Sequence, residues 1–297
     1  MPSRNNPISA VQKKRTVSAT KKKGTSSSSK SPRTPKKVQA KQAHSMPVWL
    51  RNTLAVIIVG CFSLIFYYFF IRPYAYRWKP CHGRKDYGVC IPVGYDIHGI
   101  DISHYQGSID WGRLMQHQQA ATPLHFVFMK ATEGGDHGDS TFTANFANAR
   151  THGFIRGAYH FYVPSTDALK QADFFIRTVK LDSGDLPPVL DVELTGRKEK
   201  KDLQQDIKRW LDRVEAHYGV KPILYTSYKF KTRFLDDSIF NTYPYWIAHY
   251  YVDSVRYRGK WDFWQHTDAG SVPGIKEDVD LNVFNGTLEE LKKLTIK

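Results

Sequence analysis

Eighteen consecutive residues without a charge, Leu54–Ile71 (LAVIIVGCFSLIFYYFFI), constrain this chain more than any other feature. As a helix they would rise ~27 Å, close to the ~30 Å hydrocarbon thickness of a bilayer. Trp49 precedes the run, and Tyr67, Tyr68, Tyr74, Tyr76 and Trp78 lie near or beyond its far end, where interfacial aromatics belong. A buried core helix is the competing reading, but one rarely follows so basic a leader. The expectation is a transmembrane anchor over residues 47–73 that meets the lipid bilayer through Leu54–Ile71. Positive charge before the run places the N-terminus in the cytoplasm and everything after Arg72 outside. No small-x-small cleavage site follows, so the anchor is expected to stay uncleaved.

The net charge of +15 invites a nucleic-acid reading until it is located. Residues 1–51 hold 13 Lys or Arg and no acid, whereas the remainder holds 30 basic against 28 acidic residues. The basic character therefore belongs to a tail, and no nucleic-acid partner is expected for the nearly neutral remainder. The tail, 1–46, is rich in Lys, Ser, Thr and Pro and poor in large apolar residues. It cannot bury enough surface to offset its ordering entropy, so a disordered cytoplasmic tail is expected. A DNA-binding membrane protein rests on that tail alone; anionic lipid is an equally available surface for it.

The cysteines agree with this topology. Cys61 lies in the span, and Cys81 and Cys90 bracket a polar loop on the outer side, where an oxidising compartment permits a disulfide. Cys81, His82 and Cys90 lack a fourth ligand and zinc spacing, so no metal is expected. Residues 74–96 read as a juxtamembrane segment and 97–297 as one domain.

Within 97–297, eight strand-like runs alternate with helical candidates. The runs are Ile97–Ser103, His125–Ala131, Ile155–Tyr162, Pro188–Glu193, Pro222–Thr226, Tyr245–His249, Asp262–His266 and Val279–Val283. Helices are expected over Trp111–Ala120, Thr141–His152, Thr166–Lys180, Leu203–His217 and Tyr228–Leu235. In the fourth, Leu203, Ile207, Leu211 and Val214 form an apolar stripe. Alternating strand and helix implies an α/β fold with a mostly parallel sheet, and eight strands imply a barrel with a helix-poor final third.

In such barrels the reactive groups sit at the C-terminal ends of the strands. In PPVLDVELTG, Asp191 and Glu193 are two residues apart and project from one strand face. Two like charges there should leave one carboxyl with a raised pKa beside one that stays ionised. Glycoside hydrolysis needs that division between an acid and a stabilising carboxylate. On spacing alone the pair fits equally a structural role, binding backbone amides or a metal. Asp101 (GIDIS) and Asp280 (EDVDLNVF) read singly as caps or loop residues. Together, on the first and last strands of a closed barrel, they become neighbours at one mouth. Tyr159, His160, Phe161, Tyr225, Tyr228, Trp246, Tyr250, Trp264 and Gln265 lie at or near strand ends, the mixture of rings and polar groups that binds sugars. Core packing is the alternative for any one ring.

Ordered motifs then resemble a known family, the glycoside hydrolase family 25 lysozymes or Chalaropsis-type N-acetylmuramidases. They are GIDISHYQGSIDW (Gly99–Trp111), FVFMKATEG (Phe126–Gly134), GAYHFY (Gly157–Tyr162), PVLDVE (Pro188–Glu193), PYWIAHY (Pro244–Tyr250), FWQHT (Phe263–Thr267) and VDLNVF (Val279–Phe284). The resemblance covers about 97–296. It implies a flattened TIM-like (β/α)5(β)3 barrel, no cofactor, and peptidoglycan glycan strands as the partner, cut at the β-1,4 bond between N-acetylmuramic acid and N-acetylglucosamine. By position it implies Glu193 as proton donor and Asp191 as the neighbouring stabilising carboxylate. Asp101 and Asp280 match the remaining acidic positions, and Glu133 a secondary cleft acid. Substrate contacts are expected at Glu133, Tyr159, Tyr225, Trp246, Tyr250 and Gln265. The competing expectation is a wall-binding membrane protein without turnover, which reducing-end release from peptidoglycan would separate.

Overall fold

The computed structural model describes residues 46–72, 81–116 and 122–297. The expected disordered tail up to residue 45 lies outside these residues. So do the interfacial aromatics Tyr74, Tyr76 and Trp78 and positions 117–120 of the helix expected over Trp111–Ala120. The chain divides into two compact units near Leu64.

Helix α1 (Val48–Phe66) continues as a π-helical turn over Tyr67–Ile71. Its 24 residues are long and apolar enough to cross a membrane, and none is buried against protein.

After the helix, the described residues resume with a hairpin, β1 (Lys85–Asp86) and β2 (Val89–Cys90), closed by a Cys81–Cys90 disulfide. Its turn runs through Tyr87 and Gly88, both with positive φ. The main barrel strands follow in chain order: β3 (Ile97–Ile102), β4 (Leu124–Glu133), β6 (Ile155–Phe161), β7 (Val189–Asp191), β8 (Ile223–Ser227), β9 (Tyr245–Ala248), β10 (Phe263–Gly270) and β11 (Val279–Phe284). A short β5 (His137–Gly138) folds back on the end of β4. Neighbours pair in sequence around the ring, and β3 pairs with both β4 and β11, so the sheet closes. All eight are parallel except β11, which is antiparallel to both its neighbours. Crossovers carry α2 (Trp111–Gln116), α3 (Phe142–Thr151), α4 (Ala168–Thr178), α5 (Lys200–Tyr218) and α6 (Tyr228–Phe234); α7 (Leu288–Leu294) ends the chain. Five strand–helix units followed by three strands make the expected (β/α)5(β)3 barrel.

The helices form for legible reasons. The α5 stripe Leu203, Ile207, Leu211 and Val214 is fully buried, and Gly219 ends the helix in the left-handed conformation that glycine tolerates best. The Asp167 side chain accepts from the backbone N–H groups of Leu169 and Lys170 at the start of α4.

Strand parity divides the core into two layers. Phe126, Phe128, Val189, Ile223, Trp246 and Phe263 face inward and fill the barrel, with the Phe128 ring stacked 4.3 Å from Trp246. Val127, Met129, Leu190, Leu224 and Ile247 face outward and pack under the helices. The three closing strands have no crossover helix, and the disulfide hairpin joins the outer layer there. Tyr87 and Ile91 pack in the same cluster as Val279, Leu281, Val272 and Ile275. The Tyr87 carbonyl accepts from Ser271 N–H at 2.8 Å, and its hydroxyl donates to the Thr122 carbonyl at 2.6 Å. The stretch expected to be a juxtamembrane segment up to residue 96 is thus, from Cys81 onward, part of the barrel's own packing.

Candidate active site

The strand register brings the expected acids together. Asp280 on β11 pairs directly with Asp101 on β3, and both open into a cavity of about 230 Å³ at the C-terminal ends of the parallel strands. Asp191 and Glu193 line the same cavity, with Tyr159, Tyr225, Trp246, Tyr250 and Gln265. Strand β7 ends at Asp191, two residues earlier than expected, but Val192 N–H still reaches the Tyr225 carbonyl at 3.0 Å. That bond continues the extended backbone, so Glu193 keeps the inward parity of Val189 and Asp191.

Asp101 is fixed by an oriented network. Its Oδ2 accepts from Gln265 Nε2 at 2.8 Å and from Asn282 Nδ2 at 2.7 Å. The Gln265 amide is turned by the Tyr225 and Tyr250 hydroxyls, which donate to its Oε1 at 2.6 and 2.7 Å. The Asn282 amide is turned by Trp246 Nε1–H, which donates to its Oδ1 at 2.7 Å. Burial raises the Asp101 carboxyl, and the Asn282 and Gln265 donors pull it back. Asp280 is raised much further, by burial and then by the Asp101 charge.

Asp191 has a different environment. Burial, then the charges of Glu193 and Asp101, push its carboxyl well above the usual range. Its Oδ1 is buried with no hydrogen-bond partner in the protein. Glu193 is raised less, chiefly by burial and against the pull of the Lys130 charge. The side-chain carboxyl expected to stay ionised, Asp191, is therefore the more deeply desolvated of the two. The two titrate as an interacting pair.

Glu133 does not line the cavity. Its carboxylate holds Lys130 Nζ at 2.6 Å, and Lys130, on the inward face of β4, does line it. Three of the strand-end residues weighed as sugar contacts or core packing, His160, Trp264 and Tyr228, do not line the cavity. His160 is fully buried on the outer face, bonded to Thr132 and Gln171 and stacked on Trp210. Trp264 also faces outward and donates to the His249 carbonyl, while Tyr228 lies on α6 against His249.

The family model for Glycosyl hydrolases family 25 matches residues 100–275. This chain belongs to that family. Uncharacterized protein YegX of Escherichia coli (strain K12) is 44% identical over 218 residues, covering 73% of this chain and 79% of that one. Lysozyme M1 of Streptomyces globisporus is 32% identical over 213 residues, 67% of this chain and 71% of its own. Among solved structures, the bacterial lysozyme from Streptomyces coelicolor superposes with a TM-score of 0.63 at 32% identity, covering 68% of this chain and 98% of that one.

The family 25 chain is thus a glycoside hydrolase, built on a barrel whose mouth carries four carboxyls. Lys130, Tyr105, Gln106 and Asn282 belong to the site or its support and escaped the sequence reading. Parity counted from Phe126 would have turned Lys130 inward, and parity from Asp280 would have turned Asn282. Tyr105 carries no such signal: it sits in a turn after β3 whose shape comes from the Ser103–Gln106 capping box.

Proposed function

We propose that this family 25 enzyme is a membrane-anchored N-acetylmuramidase that cleaves the β-1,4 bond between N-acetylmuramic acid and N-acetylglucosamine in peptidoglycan. Glu193 protonates the leaving glycosidic oxygen, and Asp191 stabilises the positive sugar that results. One observation carries the assignment: Glu193 and Asp191 share a face at the mouth, and the buried Asp191 Oδ1 has no protein donor. A buried acceptor left unpaired is costly, and a polar group of bound substrate would relieve that cost. Lysozyme M1 and the Streptomyces coelicolor lysozyme support the substrate class. Glu193, at the exposed lip, is placed to meet a leaving group. Asp101 and Asp280, locked to each other and to two amides, form the floor of the site and orient the sugar.

Anchoring through Val48–Ile71 is supported by the apolar, unburied helix and by the basic residues that precede it. The barrel then lies on the outer side, where its disulfide is stable.

Purified peptidoglycan supplies the test. The chain should release new reducing ends at N-acetylmuramic acid, and Glu193→Gln should lower that release by about 10²–10⁴. Full activity in Glu193→Gln would remove Glu193 from the acid's role. Absence of reducing ends from the unaltered protein would leave a wall-binding protein.

A further inference from the structure

Lys130 is the one cation among the described residues that line the cavity, and it faces four carboxyls. Its side chain is 9% exposed and its freedom is gone. Nζ lies 2.6 Å from Glu133 Oε2 and 5.0 Å from the centre of the Phe161 ring. A lysine tied so firmly by its own neighbours is a poor ligand for a mobile glycan, because binding one would break a short ion pair. Its positive charge still acts across the cavity.

The two halves of the site contrast on this point. Asp101 is supported as an anion by two amide donors. Asp191 has no donor to Oδ1 in the protein, and the charges around the cavity act on it through space. Glu193 beyond β7, Asp101 on β3 and Glu133 on β4 act on it, Tyr159 on β6 and Tyr225 on β8 feel its charge, and Asp280 on β11 lines the same cavity. The carboxylates that act on it disfavour its ionised form, and the neutral phenols add no positive charge. Lys130 acts in the opposite sense, on both Asp191 and Glu193.

We propose that Lys130, clamped by Glu133 and Phe161, is a positioning residue whose charge keeps the Asp191–Glu193 pair singly negative while the enzyme works. With two protons the pair has an acid but no anion for the sugar cation; with none it has no acid. Lys130 sets the pH at which the first proton leaves, and Glu133 both holds the ammonium and offsets part of its field. The inference rests on the roles given to Glu193 and Asp191 above. Those roles are tested by loss of turnover in Glu193→Gln, whereas this one is read from the position of a pH limb in active variants.

The experiment is the pH dependence of kcat/KM on peptidoglycan for the full chain and for Lys130→Met, Lys130→Arg and Glu133→Gln. Removing the cation raises both carboxyls, so Lys130→Met should move the acid limb to higher pH by about one unit. Arg, which keeps the charge, should return it to its original place. Removing the Glu133 charge lowers Asp191, so Glu133→Gln should move the acid limb the other way. A purely structural role would lower the rate with the limb in place, or move both variants in the same direction, and either result overturns the proposal. If Lys130→Met does not fold, Glu133→Gln alone decides: a downward shift supports the role, and an unmoved or raised limb rejects it.

Discussion

Asp101 and Asp280 share a register position, and the whole site inherits the consequences. Their carboxyls are raised in the fold above the values they have in an unfolded chain, as are those of Asp191 and Glu193. The folded state therefore binds more protons than the unfolded one just above the ordinary carboxylate range. Stability from these groups is fully present below about pH 4 and is lost as pH rises through their elevated folded values. Asp280→Asn should remove part of that loss. Denaturant unfolding should show the variant more stable at pH 8 by about 1–2 kcal/mol, with the gain shrinking toward pH 5. An equal change at both pH values would mean that charge is not its cause. At this scale the D-x-E pair was legible because alternation needs only local geometry. Which of the strand-end rings line the cavity and which, like His160 and Trp264, pack outward was left open for a simple reason: a strand end shows which residues are near the mouth, but which face the barrel occupies depends on closure.

At the scale of elements, the barrel is set by how large and small residues alternate across neighbouring strands. Phe126 on β4 lies beside Gly99 on β3, and Phe128 lies beside Gly157 on β6. A Cβ at Gly157 would sit 2.5 Å from Phe128 Cδ1, and one at Gly99 would sit 2.5 Å from the Phe126 ring and carbonyl. The two glycines make room for the rings that fill the interior, and their φ values have nothing to do with it. Gly157→Ala should therefore destabilise the barrel by about 1–3 kcal/mol in urea unfolding, by overpacking. It should also shift Phe128 against Trp246, whose Nε1–H orients Asn282, so turnover should fall with stability. An unchanged midpoint would show that the interior has slack. The eight strands and the α5 stripe were readable in advance because period 2 and period 3.6 are local patterns. The end of β7 was not, because its last ladder pair is with Phe161 at the end of β6, although the extended backbone runs on through Val192.

The whole molecule combines an apolar helix, a disulfide hairpin and a barrel. The hairpin covers the outer face of strands that have no helix, and its disulfide closes a short loop. Cys81→Ala with Cys90→Ala should cost about 2–3 kcal/mol through the freer unfolded chain. The same pair reports topology: in intact cells a membrane-impermeant thiol reagent should label Cys81 and Cys90 only after an impermeant reductant is added outside. Labelling without reductant, or none after it, would contradict an outward-facing barrel. The pattern of apolar residues by itself determined the helix long enough to span a bilayer and the succession of strands and helices with its helix-poor final third, because each depends on short-range periodicity; the (β/α)5(β)3 class was implied by the family resemblance of the ordered motifs. Only the tertiary structure decided that the Cys81–Cys90 hairpin packs on the barrel and that a two-amide network holds Asp101. It also decided that Lys130 is the cation among the carboxyls. These contacts join residues far apart in the chain, and their energies depend on burial and on neighbours that closure of the barrel brings together.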